Sequence, residues 1–187
     1  NVPLEFVNSE MRRRAKAVNF GIIYGISEFG LSQSIHSSRK EAKEFIEKYF
    51  ESYPDVKAYM ESSIDFAKLN GYVETLYKRR RKIDELNSNN YNLKQFGERV
   101  ALNMPLQGTA SDIIKIAMIE IFNEFKNRNL KSKLILQIHD ELIVDCDESE
   151  IEIVKDILKE KMENVVTLLV PLVVNITEGD NLFDAKE

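Results

Sequence analysis

Apolar residues recur with a helical period over most of this chain. Ala42, Phe45, Ile46, Tyr49, Phe50 and Tyr53 fall at i, i+3, i+4, i+7, i+8 and i+11, a full stripe on a helix that begins near Ser38 and is ended by Pro54. Upstream, Asn8 or Ser9 can cap a helix from about Glu10 to Tyr24, with Gly25 as its stop. A third helix from about Val56 closes at Asn70-Gly71, a left-handed C-cap sequence. The period is lost over 72–91, where a short strand at Tyr72–Leu76, a basic run and the polar stretch Asn87-Ser88-Asn89-Asn90 follow one another; a domain boundary is expected here. Leu93 to about Lys126 is helical again, interrupted at Pro105, which has no N–H to give its helix. Lys133 to Asp145 is almost continuously apolar around a polar centre and predicts two buried strands joined by a tight turn. Residues 149–165 return to a helical stripe carried by Ile151, Val154, Ile157, Leu158, Met162 and Val165. Leu168 to Thr177 predicts a last strand, with Pro171 placed as an edge strand allows. The expected class is α+β and mostly helical, with a small antiparallel sheet in the second half.

Composition narrows the class without naming a function. Hydrophobic residues at 43% and charged residues at 30% suit a soluble globular chain rather than a disordered or fibrous one. A lone cysteine, Cys146, excludes a disulfide framework or a cysteine zinc site and fits a reducing compartment. No apolar run approaches the ~18 residues of a membrane span and no signal peptide opens the chain, so no membrane partner is expected. The opening Asn-Val-Pro-Leu, without an initiator Met, suggests a piece of something longer. The net charge of −5 hides a gradient: residues 1–99 hold 17 Lys and Arg against 14 Asp and Glu, whereas residues 140–187 hold 4 against 14. The cations are clumped, at Arg12-Arg13-Arg14 with Lys16 and at Lys78 through Lys82. Such clumps read as phosphate contacts or, equally, as solvated basic turns.

Three segments could carry chemistry. Arg12, Lys16, Phe20 and Tyr24 are spaced by four, so a helix sets them on one slowly spiralling stripe while Val18 and Ile22 face the other way. From Lys16 to Tyr24 the rise is about 12 Å, the scale of a nucleoside triphosphate laid lengthwise. An amphipathic helix with wet cations and two core aromatics has the same spacing. His139-Asp140-Glu141 places carboxylates at a hairpin tip, where two-metal phosphoryl transfer needs them fixed, though acidic turns are also common. Arg99, Asn103 and Gln107, at i, i+4 and i+8, could donate to base edges or phosphates, or simply face water.

In this order the segments form a pattern. Arg-Arg-x-x-Lys-x-x-x-Phe-Gly-x-x-Tyr-Gly at 12–25 is very similar to motif B of family A DNA polymerases, and Gln137-Ile138-His139-Asp140-Glu141 resembles that family's motif C. Between them, Gly71-Tyr72-Val73-Glu74-Thr75-Leu76 and Pro105 through Lys115 also look like family segments at matching intervals. The resemblance covers essentially the whole chain. It implies a helical fingers region over 1–91 and part of a palm, with the small antiparallel sheet, over 92–187.

The resemblance also assigns roles. Arg12 and Lys16 would meet the incoming triphosphate, Phe20 the sugar, where Phe or Tyr governs tolerance of dideoxynucleotides, and Tyr24 the nascent base pair. Arg99, Asn103 and Gln107 match residues that contact primer–template near the minor groove, and His139 one near the primer end. Asp140 matches a metal-binding catalytic carboxylate supported by Glu141, and with Lys16 these complete the implied catalytic set. Implied partners are primer–template DNA, deoxynucleoside triphosphates, two Mg2+ ions and the remainder of the polymerase chain. The setting would be the bacterial cytoplasm, with replication and repair as the context. An organellar polymerase stays open, since Lys, Ile and Asn are frequent, as an AT-rich genome would make them.

Departures from the pattern shape the expectation. Lys78 stands where the family has Gly before a triple Arg, and Lys82-Ile83-Asp84 replaces a Tyr-Leu-Pro-like sequence, so a differently shaped loop is expected. Phe183 replaces the usual C-terminal Trp. Motif A, an Asp-Tyr-Ser-like strand carrying the second catalytic aspartate, is not found, and Asp55, Asp65 and Asp112 lie in or beside helical patterns. Thumb, exonuclease and 5′ nuclease segments are not found either. The expected function is therefore part of a template-directed DNA polymerase, inactive by itself, with its hairpin left with an unpaired edge and exposed apolar surface. A non-catalytic nucleotide- or nucleic-acid-binding module derived from such a polymerase is the alternative. A His-Asp phosphohydrolase fails, because His36 and His139 are the only histidines.

Overall fold

The computed structural model describes residues 2–186; Asn1 and Glu187, outer bounds of the two expected regions, lie outside them. Helices take up 62% of the chain, alongside small two-stranded antiparallel sheets. The chain folds as two compact units, 1–109 and 110–187.

In the first unit, α1 (Ser9–Ile23) begins where Asn8 Oδ1 accepts the Met11 N–H at 2.8 Å. The short helix α2 (Glu28–Ser34) follows, capped by Ser27, whose Oγ accepts from Gly30 N–H. Sequence periodicity does not reveal it, because seven residues are too few to repeat a stripe. α3 (Arg39–Ser52) opens on a reciprocal capping box: Ser38 Oγ accepts the Glu41 N–H while Glu41 Oε2 accepts the Ser38 N–H. Pro54 does not merely end α3; it is the first residue of α4 (Pro54–Asn70), where its missing N–H costs nothing. Gly71 closes α4 with φ +75. Leu31, Ile35 and Ala42 form one buried cluster, against which Ala17, Val18, Ile26 and Ile46 pack.

The segment expected to be irregular contains a second strand. β1 (Tyr72–Glu74) pairs antiparallel with β2 (Arg80–Lys82), matching Tyr72 to Lys82, Val73 to Arg81 and Glu74 to Arg80. The basic run is thus the second arm of a hairpin, which an unbroken run of cations does not announce by alternation. α5 spans Tyr91–Asn127 without a break and carries Pro105 inside it. Ala67, Val73, Ile83, Leu86, Val100, Ala101 and Met104 form the buried cluster that ties α4, the hairpin and the first part of α5 together.

In the second unit, β3 (Lys133–Ile138) and β4 (Glu141–Asp145) form the expected hairpin, with a bulge at Ile135 between the pairs Leu134–Val144 and Leu136–Ile143. α6 (Ile151–Glu163) covers one face: Val154 and Ile157 are buried with Ile121 and Phe125, and Leu142 and Val144 pack against them. The strands are not buried on both sides as their composition predicts. Ile135 is 58% exposed and Leu136 48%, and with Met118, Ile119 and Phe122 of α5 they line an open groove of about 440 Å³. A continuous apolar run implies cover on both faces; the unit supplies cover on one. The last predicted strand is also absent: residues 168–177 have no regular structure, and Leu169, Val170 and Val173 stand exposed. A strand needs a neighbour to complete its hydrogen bonds, and among the described residues no strand pairs with this segment.

Candidate nucleotide and primer–template site

Within the first unit, α1 and its C-cap residue Tyr24 present the four expected residues as one slowly spiralling stripe, since each four-residue step advances only about 40° around a helix. Ile22 is buried on the other side. Arg12 and Lys16 are exposed, Phe20 is 53% exposed and Tyr24 is half-buried. The Phe20 and Tyr24 rings lie 6.2 Å apart, tilted by 35°. Arg13 is engaged: its Nε and Nη2 donate to the two Glu10 carboxylate oxygens at 2.9 and 2.8 Å, which holds the Glu10 carboxyl below its usual range. Arg12, Arg14 and Lys16 have no hydrogen bond or ion pair among the described residues. The clump therefore separates into one internally paired cation and three available ones.

The end of α1 rests on α5. Gly25 has φ +72, and a Cβ there would sit 3.1 Å from Leu102 Cδ1 and 3.5 Å from Arg99 Cγ. Arg99 thus stands beside the aromatic end of the stripe, its guanidinium 6.0 Å from the Phe96 ring centre. One turn on, Asn103 keeps its Oδ1 buried without a hydrogen-bond partner among the described residues. An orphaned buried acceptor costs about 1–3 kcal/mol, so it marks a group awaiting a donor. Gln107, one turn further, is exposed, with its side chain reachable from outside.

The basic hairpin run is largely spent inside the protein. Lys78 Nζ and Arg80 Nε donate to the two Glu74 oxygens at 2.6 and 3.4 Å, lowering the Glu74 carboxyl, with Lys78 the larger influence. Arg80 also lies 4.5 Å over the Tyr72 ring, and Arg79 Nη2 donates to Gly108 O at 2.9 Å. Lys78 adopts φ +66, a backbone region that glycine enters freely, where the family pattern has glycine.

In the second unit, the pairing of Ile138 with Glu141 leaves His139-Asp140 as a two-residue turn. His139 takes φ +55, an unusual place for a side chain. Gln137 Nε2 donates to His139 O at 2.8 Å and braces the turn, a role the motif alone does not reveal. Asp140 is exposed and has no hydrogen-bond or ion-pair partner among the described residues. Its free oxygens, with Glu141 beside it, are donors of the kind that suit magnesium. No group of three or more His, Cys, Asp or Glu that could hold a metal occurs among the described residues.

Residues 1–184 match the model of DNA polymerase family A. The chain belongs to DNA polymerase family A. It is 53% identical over 185 residues to DNA polymerase I of Caldicellulosiruptor bescii, covering 99% of this chain and 22% of that protein. It is 52% identical over 186 residues to DNA polymerase I of Bacillus subtilis, covering 100% of this chain and 21% of that one. Among solved structures, the POL domain of Pol1 from M. smegmatis, in complex with DNA primer–template and dNTP, matches with a TM-score of 0.96 at 40% identity, over 100% of this chain and 33% of that one. This family A chain thus spans about a fifth of the length of the curated relatives it matches. No helix among its described residues is long and apolar enough to cross a membrane.

Proposed function

We propose that this chain supplies the nucleotide-binding helix and one catalytic carboxylate of a template-directed DNA polymerase, which extends a primer 3′ end from deoxynucleoside triphosphates. The observation that carries this reading is the α1 stripe, with Arg12 and Lys16 unpaired while Arg13 between them is bound to Glu10. Residues 1–91 act as fingers and 92–187 as part of the palm. Arg12 and Lys16 bind the triphosphate through charge-assisted hydrogen bonds, Phe20 lies against the sugar, and Tyr24 meets the nascent base pair. Arg99, Asn103 and Gln107 hold primer–template near the minor groove, with the Asn103 acceptor finding its donor there. His139 stands near the primer end. Lys16 steadies charge on the triphosphate as the leaving group separates.

Asp140, supported by Glu141, holds magnesium in the complete enzyme. Bound magnesium supplies charge neutralisation at the transferring phosphoryl group. Two carboxylates at one hairpin tip make one side of such a site, so the remainder of the polymerase chain provides the second aspartate. By itself this chain is inactive. The uncovered β3 face, with Ile135 and Leu136 exposed, leaves room for a neighbouring segment of that remainder. Bacterial relatives support a role in the cytoplasm, in replication and repair.

The test compares two neighbouring cations in the full polymerase chain. Lys16→Ala should raise the KM for nucleotide and lower turnover, by about tenfold or more for a lost charge-assisted contact. Arg13→Ala should leave nucleotide use within about twofold, as a solvent-exposed pair predicts. Equal effects of the two would remove the stripe from the nucleotide site.

A further inference from the structure

The segments Gly71–Leu76 and Pro105–Ala110 match family patterns, yet the proposed chemistry gives the first no task. In the structure they are locked together. Leu76 N–H donates to Thr109 Oγ1 at 2.9 Å, and Thr109 Oγ1 donates to Pro105 O at 2.5 Å. Arg79 Nη2 donates to Gly108 O at 2.9 Å, while the Arg79 N–H donates to Thr75 Oγ1 at 3.2 Å. Thr75 is 2% exposed, and a Cβ on Gly108 would stand 2.7 Å from Thr75 Cγ2, closer than real contacts allow. The hairpin therefore seats against α5 where a side chain is missing, next to Gln107 and its carboxamide. Here the helix also needs outside support, because Pro105 cannot donate to Ala101 O and the ladder is one bond short.

We propose that Arg79 is a positioning residue: through Gly108 O and Thr75 it fixes the turn of α5 that aims Gln107 at the edge of a duplex base. This rests on the reading that Gln107 touches primer–template. It replaces the phosphate-contact reading of Arg79, whose guanidinium is already turned onto a carbonyl of its own chain. A carboxamide discriminates between hydrogen-bonding edges only when its backbone is held, and the hairpin supplies that hold from outside the helix.

The experiment is a double-mutant cycle on primer–template affinity, by fluorescence anisotropy with the full polymerase chain. Gln107→Ala should weaken duplex binding by about tenfold, the scale of a lost base-edge contact. Arg79→Ala should weaken it by about three- to tenfold in the wild-type background and by nothing further on top of Gln107→Ala. Its binding should keep the wild-type salt slope, whereas losing a phosphate contact lowers that slope by about 1. Gly108→Ala, which forces the hairpin away while leaving the Arg79 charge, should reproduce the loss and be equally silent without Gln107. A merely structural role would lower affinity by the same factor in both backgrounds, and that multiplicative result overturns the inference alone. Unchanged affinity in Gln107→Ala overturns the reading beneath it and the inference with it.

Discussion

At the base of the β3–β4 hairpin, two carboxylates gather most of the local hydrogen bonding. Glu150 accepts from Lys131 N–H, Ser132 N–H and Ser132 Oγ at 2.7–3.0 Å, and Ser132 Oγ in turn accepts the Asp147 N–H at 3.0 Å. The chain entering β3 and the chain leaving β4 are thereby joined through one hydroxyl, which is 4% exposed as part of Ser132. Asp147 is pulled from 3.8 to about 2, first by Ser149, whose hydroxyl and N–H both donate to it, and then by Lys131. Glu150 is lowered by Ser132 first. Both groups are more acidic folded than unfolded, so their contribution is complete above the unfolded carboxylate range and is lost as pH falls toward about 2. Unfolding midpoints should therefore drop between about pH 4 and pH 2, and Asp147→Asn should flatten that drop. An identical pH profile in the variant would show that Asp147 does not contribute.

Single elements show where residue signals sufficed. α1, α3 and α4 fall close to their expected limits because each is announced by a residue that performs the capping, by side chain at Asn8 and Ser38 and by left-handed backbone at Gly71. The α3 box is testable. Ser38→Ala removes the acceptor for Glu41 N–H and should cost about 1 kcal/mol of stability, whereas Ser38→Gly should cost only a few tenths. Equal stabilities by denaturant unfolding would mean the box is ornamental. Where the cause lies in distant chain, the sequence misleads. Leu168–Thr177 has strand composition and no strand partner among the described residues, and Lys133–Asp145 has the composition of a doubly covered hairpin with one cover. The site divides the same way. The α1 and α5 stripes are legible from four-residue spacing, while the Arg13–Glu10 pair, the Gln137 brace and the Arg79 latch depend on partners that spacing does not display.

For the molecule as a whole, the two units bring different parts of one proposed chemistry. The first holds free cations and aromatics along α1, with Arg99 beside its end and Asn103 and Gln107 further along α5; the second holds Asp140 and Glu141 at a braced turn. The family membership spans both, and the curated relatives are about five times longer. The proposed role of Asp140, a catalytic carboxylate in a site this chain only half supplies, is tested most directly by primer extension with magnesium. Three proteins are needed: the 187-residue chain, the full polymerase chain, and the full chain carrying Asp140→Ala. The isolated chain should extend nothing. The full chain should extend, and Asp140→Ala should lower its turnover by on the order of 10³-fold while primer–template affinity holds. Extension by the isolated chain, or full turnover in Asp140→Ala, would contradict that role.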